Sequence, residues 1–380
     1  MPAAVHAYLK DFSDAPPGHR FSLYYAGWND DWSKPESGVV PILDALRKLP
    51  EHSINLLAAY LARQNASAQM LGDQVLALPC IGTAPFATGL GNEHPLENGF
   101  AFLTPYGLPY LAGSGIKGVI RKAAEELASG EWGETKGWDE DAIRTLFGPG
   151  EEDHTRDTHP KQGALRFWDV LPILQKNEMS VEIMTPHHGE YYQGKHSPHN
   201  SESPVPISFL AVPAKSKFTF FVECNTGLLH DDTLQKTWSN LLEIAFEHAG
   251  TWLGFGAKSA VGYGRMKLDE KAKQEAYEKK AQQARAEKLS SLSPNMRRIN
   301  EFETVCADRA EQLLGGKENP NAAFHQKGCE LIKAAHEEND WTPDEKRAAA
   351  DAVEKWLPKI VKIDLKELRK KLKLSTLRGV

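Results

Sequence analysis

The chain has 380 residues, enough to bury a sizeable core in one large or two smaller domains. Its formal net charge is −6, with 45 basic residues outnumbered by 51 acidic ones, so any nucleic-acid surface must be a local patch. The four cysteines lie without Cys-x-x-Cys spacing, which argues against a zinc ribbon or a disulfide scaffold. No apolar run approaches a membrane span, and the start lacks the basic and apolar regions of a signal peptide. A soluble cytoplasmic protein is expected.

Residues 1–35 are rich in aromatic, acidic and proline residues without a period, and read as an irregular arm. Val40, Leu43, Leu46 and Leu49, then Ile54, Leu57, Ala58 and Leu61, recur at helical spacing and predict packing helices. We expect 1–84 to pack on a core formed by 85–268. From Thr88 a polar loop leads to strands at 100–103 and 108–111 and a turn at Gly113-Ser-Gly115. A helix follows, with Ile116, Val119, Ile120, Ala123, Ala124 and Leu127 as its buried stripe. Ser114 is the expected N-cap, and Lys117 and Arg121 lie off the stripe near the positive end of the helix, an arrangement suited to an anion. Two solvated cations on an amphipathic helix would look the same.

Residues 129–162, dense in Gly, Trp, Asp, Glu and His, read as an exposed insertion. Strands are expected at 163–170 and 181–184. Between Thr185 and His199 lie His187, His188, His196, His199, Tyr191, Tyr192 and Lys195 on a turn-rich segment. The histidines lack helical spacing and have only Glu190 as a nearby carboxylate, so no metal or other cofactor is expected. His, Tyr and Lys suit base stacking and phosphate contact better; a solvated loop is the alternative. Residues 204–212 and 217–223 read as adjacent strands. Trp238, Leu241, Leu242, Ala245, Ala249 and Trp252 then mark a helix that delivers the chain into Gly254-Phe-Gly-Ala-Lys-Ser-Ala-Val-Gly-Tyr-Gly-Arg265.

This stretch holds Gly254, Gly256, Gly262 and Gly264, with Lys258, Ser259, Tyr263 and Arg265 among them. Glycines permit tight turns and close approach, and exposed N–H groups beside cations can cradle phosphates. It is not a dinucleotide fingerprint, because Ser259 stands at the third glycine position and a helix precedes it. Nor does it hold the Gly-Lys-Ser/Thr of a P-loop. A ligand-free glycine hairpin is the bland alternative. The order of strands and helices from 85 to 268 fits an antiparallel α+β sheet of ferredoxin-like kind.

Residues 269–380 turn charged and helical. The last segment carries Lys359, Lys362, Lys366, Arg369, Lys370, Lys371, Lys373 and Arg378 against Asp364 and Glu367, with Val361, Leu365, Leu368 and Leu372 as an apolar stripe. It reads as a docking helix for RNA or protein, or a capping helix with a basic outer face.

Taken together, the chain resembles the RAMP superfamily of CRISPR-associated proteins. The 254–265 stretch looks like that superfamily's C-terminal glycine loop, and Leu108-Pro-Tyr-Leu-Ala-Gly-Ser-Gly-Ile-Lys-Gly-Val-Ile-Arg121 is similar to its Pro-Gly-Ser-Ser-x-Lys-Gly signature, with Ala112-Gly-Ser-Gly replacing Pro-Gly-Ser-Ser. Asp169 in Phe-Trp-Asp, Thr185-Pro-His187 with Tyr191-Tyr192, and Pro204-Val-Pro-Ile-Ser-Phe-Leu210 resemble the sixth-subunit group of type III-B (Cmr) effector complexes. The resemblance implies an RRM-like, ferredoxin-type fold and a non-catalytic, RNA-binding backbone subunit of an antiviral ribonucleoprotein. Such a subunit would hold the 3′ part of the CRISPR RNA and its paired single-stranded target, beside neighbouring RAMP subunits and a small helical subunit. Ser114, Lys117, Arg121, Lys258, Ser259 and Arg265 would then meet phosphates, and His187, Tyr191, Tyr192 and Tyr263 sugars or bases. Two rival functions are a metal-independent CRISPR-RNA endonuclease using His187 or His188, and a scaffold that touches only proteins.

Overall fold

The computed structural model describes residues 8, 12–33, 39–150, 162–185, 194, 197, 206–312 and 316–378. It divides into two compact units, Met1–Gln274 and Glu275–Val380.

In the first unit, helices α1 (Pro17–Ser22), α2 (Val39–Arg47) and α3 (Glu51–Leu71) precede a four-stranded sheet. Its strands are β1 (Val75–Gly82), β4 (Leu165–Phe167), β7 (Lys217–Cys224) and β8 (Met266–Leu268), in the order β4-β7-β1-β8 with every pairing antiparallel. Helix α4 (Gly113–Ala128) connects β1 to β4, and α6 (Asp232–His248) connects β7 to β8. Two βαβ units thus interlock, each leaving a gap that a strand of the other fills. This is the ferredoxin-like arrangement.

The core lies between sheet and helices. Ile116, Ile120, Ala123 and Leu127 of α4 face Leu241, Leu242 and Ala245 of α6, all buried. Phe220 of β7 meets Phe246 and Phe255 at ring-centroid distances of 5.0 and 5.1 Å. Each such side chain contributes about 1.5–3 kcal/mol by leaving water.

Three elements depart from expectation. The strands read as neighbours at 204–212 and 217–223 belong to different sheets: β6 (Ile207–Ala211) pairs with β5 (Ser180–Met184) in a separate ribbon, while β7 lies between β4 and β1. A second ribbon joins β2 (Phe102–Leu103) to β3 (Leu108–Pro109). Described residues of the supposed exposed insertion form α5 (Glu140–Phe147), capped by Asp139 and buried through Ile143, Leu146 and Phe147. Trp138, beside it, donates its indole N–H to the Leu241 carbonyl at 3.2 Å. Finally, Trp252 is 54% exposed instead of facing the core. A π-helical turn over Ala249–Leu253 widens the end of α6 and shifts the register of its stripe.

The second unit is all-helical. Helices α8 (Pro294–Gln312), α9 (Ala323–Glu337), α10 (Pro343–Ile360), α11 (Leu365–Lys371) and α12 (Leu374–Leu377) enclose their own core of Ile299, Phe302, Leu331, Val353, Leu357 and Leu368. Helix α7 (Glu270–Ser291) spans the boundary in sequence. Among the described residues, no helix is long and apolar enough to cross a membrane.

Candidate nucleic-acid interface

The glycine loop begins where the π-helical turn ends. Gly254, Gly256, Gly262 and Gly264 all have positive φ, at 75°, 82°, 95° and 71°. The close approach that glycine allows is to the chain's own backbone. A Cβ on Gly264 would stand 1.8 Å from the Phe255 oxygen, and one on Gly256 would stand 2.3 Å from the Ala87 oxygen. At Gly262 the space is open.

The N–H groups are divided accordingly. Phe255 donates to Gly264 O at 3.0 Å, Ala257 to Ala87 O at 2.7 Å and Gly264 to Pro85 O at 2.7 Å, so the loop is strapped to residues 85–87. Gly254, Val261, Gly262 and Tyr263 also donate to main-chain carbonyls. That contradicts the expectation of a loop with generally exposed N–H groups: most are spent on folding it. Gly256, Lys258, Ser259 and Ala260 donate to no acceptor among the described residues. Three of these are the first N–H groups of a 3₁₀ turn, Ser259–Val261, and of the Lys258 residue that opens it.

Lys258 adopts the left-handed conformation, φ 59°. Its ammonium lies 3.1 Å from Met184 Sδ and 5.6 Å from the Phe209 ring centroid. The Tyr263 hydroxyl donates to Glu182 Oε2 at 3.3 Å, and its ring lies 5.9 Å from that of Phe209. Burial pushes the Tyr263 phenol pKa up, and the negative Glu182 pushes it further. Neither Lys258 nor Arg265 is ion-paired among the described residues. The Arg265 carbonyl accepts from Thr83 and Ala84, which fixes its backbone. The β5–β6 ribbon therefore braces the loop through Glu182, Met184 and Phe209, three residues that sequence reasoning missed. Nothing in their spacing marks them, because they act across 49 positions of chain at Lys258–Phe209 and up to 81 at Tyr263–Glu182.

The start of α4 departs from its expected role. Ala112, not Ser114, occupies the N-cap and makes no side-chain bond. Asp169 Oδ1 instead accepts from Gly113 N at 2.7 Å, so a carboxylate of this chain already sits at the positive helix end. Gly113 is required there, since a Cβ would lie 2.1 Å from the Phe167 oxygen. Ser114 is exposed. Lys117 is half-buried, and desolvation lowers its ammonium pKa, with the neighbouring Arg121 charge lowering it further. Arg121 is engaged within the chain: Nε donates to Glu125 Oε1 at 3.0 Å, and NH1 to the carbonyls of Gly148 and Pro149 at 3.2 and 3.3 Å.

Both candidate regions lie at the same end of the sheet, where β4 and β1 end and β8 begins. Asp169, at the start of α4, follows edge strand β4, and the glycine loop precedes edge strand β8. Thr185 directly follows Met184, which touches Lys258; His187, Tyr191 and Tyr192 lie outside the described residues. Among the described residues no group of three His, Cys, Asp or Glu side chains could hold a metal.

Comparison with known proteins finds a family match within the first unit. Residues 81–267 match the RAMP superfamily. The CRISPR system Cmr subunit Cmr6 of Pyrococcus furiosus (strain ATCC 43587 / DSM 3638 / JCM 8422 / Vc1) is 29% identical over 224 residues, covering 47% of this chain and 63% of that protein. The match thus spans less than two thirds of the relative. Among solved structures, a chain of the type III-B Cmr-beta complex bound to cognate target RNA aligns with a TM-score of 0.42 at 19% identity, over 60% of this chain and 70% of that one. The crystal structure of Cmr6 from Pyrococcus furiosus aligns with a TM-score of 0.28 at 22% identity, over 51% of this chain and 97% of that one. Just under half of the chain thus matches the RAMP superfamily, and the chain resembles Cmr6.

Proposed function

We propose that this protein is a non-catalytic, RNA-binding subunit of a type III-B CRISPR effector, gripping the 3′ part of the guide RNA and its paired target. The observation that carries this reading is the glycine loop. It is strapped to residues 85–87 and braced by the β5–β6 ribbon, yet leaves the N–H groups of Gly256, Lys258, Ser259 and Ala260 without acceptors and its two cations, Lys258 and Arg265, without carboxylate partners among the described residues. A preformed set of donors beside uncompensated cations suits phosphate oxygens, which position an RNA without reading its sequence. Likeness to Cmr6 supports the effector context. Neighbouring RAMP subunits and a small helical subunit are the proposed protein partners. A domain boundary near 268–275 sets the RNA grip apart from the helical extension.

The test is assembly by co-expression with the neighbouring subunits and a CRISPR array, then ultraviolet crosslinking and peptide mapping. Crosslinks between the 3′ portion of the guide and 254–265 or 185–199 are expected. An assembled complex whose RNA never crosslinks to this chain would make it a protein-contacting scaffold. Specific cleavage of repeat RNA by the purified protein, abolished by His187→Ala, would make it a nuclease.

A further inference from the structure

The basic segment at the end of the chain is sorted by the fold in a way its composition does not show. Its arginines are consumed. Arg369 pairs with Glu354, and Arg378 pairs with Asp351 and, at 2.6 Å, with Glu354. Of the only two carboxylates between Lys359 and Arg378, Asp364 caps α11 by accepting from Lys366 N at 2.8 Å, and Glu367 lies at the flank.

The lysines are left outside. Leu368 is the fully buried anchor of α11, and Lys366 and Lys370 stand two residues to either side of it, about 200° around the helix. They therefore point directly away from the core. Lys359, beside buried Ile360 at the end of α10, is exposed at the flank of that helix and lies 4.7 Å from the Trp356 ring centroid. Lys362 and Lys373 are exposed as well, and none of these five is ion-paired among the described residues.

We infer that this lysine face of the helical unit is a second, sequence-independent binding surface for single-stranded RNA, contacting the phosphate backbone. Lysine is a mobile point charge that meets phosphates from many angles, whereas fixed bidentate recognition needs arginine, and here the arginines are spent internally. An acidic protein partner fits less well. Protein interfaces concentrate their energy in buried apolar or aromatic anchors, and Leu365, 40% exposed, is the only large apolar side chain offered on α11. Counterion release from phosphates needs no such anchor. The surface lies in a different unit from the glycine loop and does not depend on the function proposed for that loop.

The experiment uses the full chain and a labelled oligouridine, titrated at salt between about 50 and 200 mM. Four proteins are compared: wild type, the triple variant Lys362→Glu/Lys366→Glu/Lys370→Glu, the loop variant Lys258→Glu/Arg265→Glu, and a triple Lys→Gln version that removes charge without reversing it. The triple variants, whose loop is intact, should flatten the salt slope by about 2 and weaken low-salt binding roughly tenfold. Unchanged slope and affinity in both triple variants would overturn the inference. Loss of binding in the loop variant alone would refute this surface and leave the loop reading standing. The converse result would do the opposite. Polyglutamate that displaces the oligouridine at equal charge concentration would identify an acidic protein as the better occupant and also refute it. Helical circular dichroism verifies that each variant is folded.

Discussion

Alanine substitutions at Gly262 and Gly264 separate two reasons why a loop needs glycine. Both residues have positive φ, 95° and 71°. An alanine at either position bears the cost of a left-handed conformation, about 1–2 kcal/mol. Around Gly262 nothing lies within 4 Å of the added carbon, so the cost stops there. At Gly264 the same carbon would fall 1.8 Å from the Phe255 oxygen and 2.7 Å from its nitrogen, both main-chain atoms that cannot swing aside. Relief requires opening the strap in which Phe255 N donates to Gly264 O and Gly264 N to Pro85 O. Losing those two bonds adds about 1–3 kcal/mol to the conformational cost. Gly262→Ala should therefore cost about 1–2 kcal/mol and Gly264→Ala about 2–5 kcal/mol. In thermal unfolding, at about 2–4 °C per kcal/mol for a unit of this size, the first should fall by a few degrees and the second by about 10 °C. Equal losses would refute the claim that Gly264 serves internal packing, as would a Gly264→Ala protein as stable as wild type.

Other consequences are separable by assay. Asp169→Ala removes the acceptor for Gly113 N and should cost about 1–2 kcal/mol in urea unfolding. Lys258→Glu with Arg265→Glu should leave the unfolding midpoint within about 0.5 kcal/mol of wild type. The same pair should flatten the salt dependence of RNA binding by about 1.4, as two lost phosphate contacts. Arg121→Ala should do the reverse, lowering stability by about 1 kcal/mol while RNA affinity holds, because its guanidinium serves Glu125 and the 148–149 carbonyls. Burial pushes the Cys80 and Cys224 thiols up to about 12 and Cys306 up to about 11, so all three stay protonated at pH 8. Iodoacetamide should thus label half-buried Cys329 first, and the other three only on unfolding, as read by peptide mass.

Helices with an unbroken apolar period were legible in the sequence, because their packing face is written locally. Ile116, Ile120, Ala123 and Leu127 of α4 are buried as their spacing predicts. The sheet was legible as a class but not as a pairing. Strands β6 and β7 are separated by a short turn, yet β6 pairs with β5 and β7 with β1, since pairing is decided by which face each strand buries. Strand β1 escaped notice altogether. It carries Pro79, which usually argues against a central strand, and the fold accommodates it because β8 pairs only with Cys80, Ile81 and Gly82.

The same division between local and distant causes governs the candidate site. Four glycines and two cations mark the loop in any reading of the sequence. Which of its donors are available depends on Pro85, Ala87 and the β5–β6 ribbon, none of them near in sequence. The signature segment misleads for the same reason. Gly-Ser-Gly at a helix start, with Lys117 and Arg121 four residues apart, has the local features of an anion site. Asp169, 56 residues away, supplies the anion, and the carbonyls of Gly148 and Pro149 take the guanidinium. A motif that resembles a ligand cradle is therefore, in this chain, a joint between α4 and β4. The loop at the opposite edge of the sheet keeps its two cations without a carboxylate partner among the described residues, and that difference is what the proposed RNA grip rests on.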